Sequence, residues 1–178
     1  DVLGVQCDVG DPVQIGEAFA TIRTEFGPVE TLVQNASIGG RGGLMDVSRA
    51  EFIELWETAV LGGFCCARAV VPDMLAAGSG TIIFTGASSS VRGRGDAVGH
   101  SVAKFAVRGL AQSLADELGS EGIHVAHSIV DGRIGTDDAS TLDPDAIADA
   151  YWSIAAEETD TMTAEVRLTA GSGSGERA

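Results

Sequence analysis

Gly80-Thr81-Ile82-Ile83-Phe84-Thr85 (residues 80–85) is the stretch whose surroundings decide the fold. Thr81 to Thr85 reads as a strand. Gly86 to Gly99 follows as a loop of small and polar residues. A helix runs from about His100 to Leu118 and stops at Gly119, and Ile123 to Val130 reads as the next strand. Alternating strand and helix patterns of this kind argue for a parallel sheet covered by helices.

The alternation continues outward in both directions. Toward the N-terminus, Ala59 to Ala77 reads as an apolar helix, and Ser48 with Glu51 forms a capping-box pattern ahead of it. Ile38 to Leu44 is a glycine-rich loop, and Val29 to Asn35 is apolar enough to be a buried strand. Before that, Asp11-Pro12 supplies an N-cap and a proline for the first helical position. Ile15, Ala18, Phe19, Ile22 and Phe26 recur at helical spacing until Gly27-Pro28, and Val2 to Cys7 reads as a strand. Toward the C-terminus, Asp143-Pro144 caps a helix with Ile147, Ala150, Tyr151 and Ile154 on one face. Ala164, Val166 and Leu168 alternate as a short last strand. Residues 1–170 are therefore expected to form one α/β domain, with a doubly wound, mostly parallel sheet and flanking helices. Residues 171–178 read as a flexible tail.

Composition narrows the function. The chain has 178 residues, 44% of them hydrophobic, which is enough for a real core. A formal net charge of −15 sets nucleic acid and anionic membranes aside as partners. No apolar run reads as long enough to span a bilayer, and no signal peptide is visible. Cys7, Cys65 and Cys66 are spaced for neither a zinc site nor a disulfide framework, so a reduced, cytoplasmic setting is expected. His124 and His127 read as structural, and no metal site is expected. There are ten arginines but a single lysine, Lys104. Arginine and lysine are not interchangeable at a shaped site, so a position that keeps an ammonium draws notice.

In an open parallel sheet, ligands collect beyond the carboxyl ends of the strands. The loops there are Asp8-Val9-Gly10, Asn35-Ala36-Ser37, Gly86 to Gly99, and Asp131 to Thr136. His100 and Lys104 are four residues apart on one helix face, and Ser90 lies upstream in Ser88-Ser89-Ser90. A hydroxyl, an imidazole and an ammonium can together polarise a carbonyl and move a proton. A solvated helix start beside a serine-rich turn gives the same residues with no chemistry.

The order of these segments resembles the short-chain dehydrogenase/reductase family. Cys7-Asp8-Val9 resembles the acidic turn on the adenine side, and Val33-Gln34-Asn35-Ala36-Ser37 resembles the Asn-Asn-Ala-Gly turn. Residues 80–84, leading into Ser88-Ser89-Ser90, resemble the strand that carries the catalytic serine. His100 to Leu110 resembles the Tyr-x-x-x-Lys helix, and Gly122-Ile123-His124-Val125 with Asp131-Gly132 resembles the next strand and its Pro-Gly turn. Each match is weak alone, but their joint order and spacing over residues 1–170 are specific.

The resemblance implies a Rossmann-like fold and an NAD(P)-dependent oxidoreductase with a carbonyl or alcohol substrate. It assigns Ser90, His100 and Lys104 to catalysis. It assigns Asp8, Val9, Asn35, Ala36, Lys104, Gly132 and Ile134 to NAD or NADP. It also implies a homo-oligomer paired through the 59–77 and 100–118 helices.

The departures weigh as heavily. His100 stands at the tyrosine position, Ala59 where an asparagine relays protons, Asp131 for proline and Ser37 for glycine. The short segment at 135–142 and the 143–152 helix resemble an atypical branch of the family. The family's glycine-rich phosphate turn, with the βαβα part that holds it, has no counterpart in these residues, so the chain reads as N-terminally truncated. Cofactor binding is then expected to be weak, and the 2–7 strand to be a marginal edge. Imidazole beside an ammonium favours its neutral form, a poor acid, so redox catalysis is expected to be impaired. Two other expectations stand beside this one. One is a non-redox acid/base enzyme using His100, Ser90 and Lys104; the other is a non-catalytic binding or assembly subunit.

Overall fold

The computed structural model describes residues 1–136, 140–158 and 161–170. The proposed tail, 171–178, and the middle of the acidic 135–142 segment, 137–139, lie outside them. Among the described residues, strands β1 (Thr31–Gln34), β2 (Gly80–Ala87), β3 (Ile123–Asp131) and β6 (Glu165–Thr169) form one sheet in that order. All three pairings are parallel. β4 (Arg133–Ile134) and β5 (Thr141–Leu142) make a small parallel pair beyond the end of β3.

Helix α1 (Pro12–Phe26) starts where the sequence places its cap, with Asp11 accepting a hydrogen bond from the Val13 amide. It ends at Gly27, whose φ of 86° suits glycine. α2 (Arg49–Trp56) opens on the complete Ser48–Glu51 capping box. A π-helical turn, Glu57–Leu61, joins it to α3 (Gly62–Ala77), so the apolar helix predicted from residue 59 is the second half of a longer helical run. By length and hydropathy this 49–77 run could cross a membrane, which corrects the expectation that no apolar stretch reaches that length. Here it is a core helix: Ala59, Val60, Cys66, Ala67, Val70 and Met74 are buried in the same cluster as the sheet.

α4 (Val98–Leu118) crosses from β2 to β3, and α5 (Pro144–Ala155), capped by Asp143, crosses from β3 to β6. The two faces of the sheet are unequally covered. Leu32, Ile82, Phe84, Ile123 and Val125 join α1, α3 and α4 in the main core. On the other face, among the described residues, Ile83, Ala126 and Val166 pack with α5 through Tyr151 and Ile154. There Val33 is left 42% exposed on the edge strand.

One predicted strand does not form. Residues 2–7 have no strand partner, and Val2 is 99% exposed. A strand's amides need a neighbouring ladder, and none of the described strands lies beside this segment. It is held instead by a local turn and by packing of Cys7 and Val9 on the core. Gly62 makes that packing possible, since a Cβ there would come within 2.6 Å of the Val9 carbonyl oxygen.

Candidate active site

β2 and β3 end side by side, and α4 begins over their ends. These three elements frame a cleft of about 280 Å³, lined by Asn35, Thr85, Gly86, Ala87, His100, Lys104, Gly132 and Ile134, with Tyr151 and Ile147 from α5. Lys104 is 5% exposed, and its Nζ donates to the Thr85 carbonyl at 2.8 Å. Burial disfavours the ammonium and pushes its pKa down to about 8. Among the described residues no carboxylate lies within ion-pair distance of it.

His100 stands one helical turn earlier, half-buried. Its Nδ1 faces the Ile38 carbonyl at 3.4 Å. A carbonyl only accepts, so Nδ1 carries the hydrogen in this contact and the neutral ring leaves Nε2 as a lone-pair base. Burial first, and the Lys104 charge second, lower the His100 pKa. His100 also lines a second cavity, of about 200 Å³, under the glycine-rich 38–42 loop beside Asp46, Glu51 and Glu54. It therefore borders both of these hollows and a third groove that holds Arg41 and Arg94.

Ser90 is not part of this arrangement. It is fully buried, and its Oγ accepts from the Ala87 amide at 3.1 Å. A 3-10 turn over Ser88–Ser90 rotates it into the core, where Ser90 Oγ and His127 Nε2 both crowd Gly86. A Cβ on Gly86 would lie 2.2 Å from His127 Nε2 and 2.7 Å from Ser90 Oγ. Ala87 occupies the place in the cleft wall that the sequence reading gave to a serine. Ser89 reaches the groove bordering His100, together with Arg41 and Arg94.

His127 and His124 are structural. His127 donates from Nδ1 to Glu165 at 3.0 Å, and Glu165 accepts two bonds from Arg108, at 2.6 and 2.8 Å. Burial lowers the His127 pKa against the pull of Glu165. His124 donates from Nε2 to the Thr163 carbonyl at 2.9 Å. Among the described residues no group of three or more His, Cys, Asp or Glu side chains is placed to hold a metal ion.

The expected cofactor residues divide in two. Asn35, Lys104, Gly132 and Ile134 line the one cleft. Ala36 is partly buried beside it without lining it. Asp8 and Val9 are elsewhere, on the turn docked against Gly62. The Asp8 carboxylate caps that turn by accepting from the Gly10 amide at 2.8 Å. The donor set thus fits a nicotinamide and its ribose better than an adenine.

The sequence reading missed Tyr151 and Thr85, whose hydroxyls lie 2.8 Å apart at the cleft floor. Tyr151 had two legible signals: it is the only tyrosine, and it shares a helix face with buried Ile154.

A family model described as short chain dehydrogenase matches residues 1–146. This chain belongs to the short-chain dehydrogenase family. The 3-oxoacyl-(acyl-carrier-protein) reductase MabA of Mycobacterium avium is 32% identical over 160 residues, covering 90% of this chain and 62% of that protein. The 3-alpha-(or 20-beta)-hydroxysteroid dehydrogenase of Mycobacterium tuberculosis is 39% identical over 132 residues, covering 74% of this chain and 50% of that protein. The chain thus spans between half and two-thirds of the length of these relatives. A short-chain dehydrogenase from Rhodopseudomonas palustris superposes with a TM-score of 0.83 at 30% identity, covering 93% of this chain and 73% of that one. A metagenomic short-chain oxidoreductase in complex with NADP superposes at 0.80 and 26% identity, covering 92% and 72%. The short-chain dehydrogenase fold therefore accounts for the parallel sheet and for the placement of α4 over the cleft.

Proposed function

We propose that the protein is an NAD(P)-dependent oxidoreductase acting on a ketone or secondary alcohol, and that His100 impairs the redox step in this chain. The oxo and hydroxy groups named in its relatives support that substrate class. The observation that carries the reading is the single cleft shared by Lys104, Asn35, Gly132, Ile134 and His100. Nicotinamide, when bound, supplies or accepts a hydride. The buried Lys104 ammonium would hold ribose hydroxyls there, with Asn35 on the same cleft wall. His100 Nε2 takes a proton from a substrate hydroxyl, which suits alcohol oxidation better than carbonyl reduction, because the lowered pKa leaves little imidazolium to donate. Ala87 offers no hydroxyl to hold the substrate oxygen.

His100→Tyr tests this reading. Restoring a phenol above Lys104 is expected to raise hydride transfer at least tenfold, followed by nicotinamide absorbance with a panel of ketones and secondary alcohols. No gain from a folded variant that binds nicotinamide overturns it.

The neutral His100 Nε2 and the buried amine also favour a second reading, a cofactor-free acid/base enzyme on the same cleft. Turnover without added nucleotide would distinguish it. Assembly is a further proposal. Phe64 and Leu75 on α3, with Val102 and Phe105 on α4, are all 42–45% exposed. They form the faces expected to pair in a homo-oligomer, whether active or purely structural. Phe105→Glu is expected to convert that assembly to monomers in sedimentation. The spacing of Cys7, Cys65 and Cys66, which suits neither a zinc site nor a disulfide framework, supports a cytoplasmic setting.

A further inference from the structure

We propose that Lys104 is an imine-forming amine, whose Nζ condenses with the carbonyl of a small aldehyde or ketone seated in the cleft. Three observations carry this. Lys104 is nine-tenths buried yet lines the 280 Å³ cleft. Its recorded acceptor is a neutral backbone carbonyl, that of Thr85, and among the described residues no carboxylate holds it as a cation. A proton acceptor, His100, lies one turn away on the same helix face and borders the same cleft. A desolvated amine without an acidic partner is the arrangement that makes a lysine nucleophilic near neutrality.

The step balances without any redox reagent. The Nζ lone pair forms a C–N bond to the carbonyl carbon, and the C=O π pair moves to oxygen, which takes up a proton. His100 Nε2 accepts a proton from nitrogen and returns it to the departing hydroxyl. Water leaves as the C=N bond forms. Apolar Ala87, Ile134 and Ile147 in the wall suit a short hydrocarbon tail. This activity does not depend on nicotinamide, so it stands or falls separately from the oxidoreductase reading.

The sequence makes the test unusually clean. Lys104 is the only lysine, so the N-terminal amine is the single competing primary amine. The folded chain is incubated with propanal and cyanoborohydride at pH 7.5 without nucleotide, and labelled sites are mapped by peptide mass spectrometry. Lys104 is expected to label with a rate that saturates in propanal, while the N-terminal rate rises linearly. Unfolding the chain in urea restores an ordinary lysine and is expected to slow Lys104 labelling about a hundredfold. His100→Ala is expected to slow it about tenfold and to leave the N-terminal rate unchanged. Circular dichroism confirms that the variant is folded. Labelling of Lys104 no faster in the folded chain than in urea, or confined to the N-terminus, overturns the proposal. Protection of Lys104 by added NADH would report on the oxidoreductase reading alone.

Discussion

Lys104 and Asp8 stand at the two ends of the surface along which the family's resemblance lays a dinucleotide, and different forces hold them. Lys104 sits on a 21-residue helix whose inner face is core, and it is tied to a strand that is hydrogen-bonded on both sides. Asp8 sits on a turn whose neighbours Cys7 and Val9 pack on the core against Gly62, with none of the described strands beside it. The contrast separates a cleft built at the ends of paired strands from a turn that is only docked on the core. If that surface takes a dinucleotide, the Asp8 end would need neighbouring strands to become more than a docked turn.

That contrast can be broken from either end. The largest effect is expected at Gly86→Ala, where the new methyl meets His127 and Ser90 inside the core. A loss of about 3 kcal/mol in urea denaturation is expected. A loss under about 0.5 kcal/mol would mean that the end of β2 is less tightly packed than described.

Next comes Lys104→Met, compared with the unchanged chain across alkaline pH. The folded Lys104 gives up its proton near pH 8, and in the unfolded chain it does so near 10.4. Between these values Lys104 binds more protons in the unfolded state, so its own contribution to stability grows as pH rises. The methionine variant has no such gain. The stability difference between the two is expected to shift by on the order of 2 kcal/mol over that window, measured by chemical denaturation at each pH.

Gly62→Ala loosens the other end. Its Cβ meets the Val9 carbonyl, and a cost of about 1 kcal/mol is expected. Proteolysis near residue 10 should accelerate while the Lys104 titration stays unchanged. The smallest effect is expected from removing residues 1–5, which should alter stability by less than about 0.5 kcal/mol.

The periodic elements were legible in the sequence because their signals are local. Asp11-Pro12, Ser48–Glu51 and Asp143-Pro144 each cap the helix they announce. The 2–7 strand failed for a non-local reason: its β-like pattern is real, but a strand exists only against a neighbour. Ser90 failed for another. Three consecutive serines enter a 3-10 turn, which puts Ser90 beside Gly86 and His127 and Ser89 in the groove next to His100, and leaves Ala87 in the cleft wall. Helical spacing alone placed His100 and Lys104 together, because four residues make one turn. Tyr151 reaches Thr85 from 66 residues away. Only the crossover of α5 onto the second sheet face brings those two hydroxyls together.

The most direct measurement is calorimetric titration of this chain with NADH, NADPH and reduced nicotinamide mononucleotide at low salt. If the Lys104 end is a working subsite and the Asp8 end only a docked turn, the mononucleotide binds and either dinucleotide gains less than about tenfold over it. A dinucleotide that binds about a hundredfold tighter than the mononucleotide would contradict this, and would make the Asp8 turn a working half of the site.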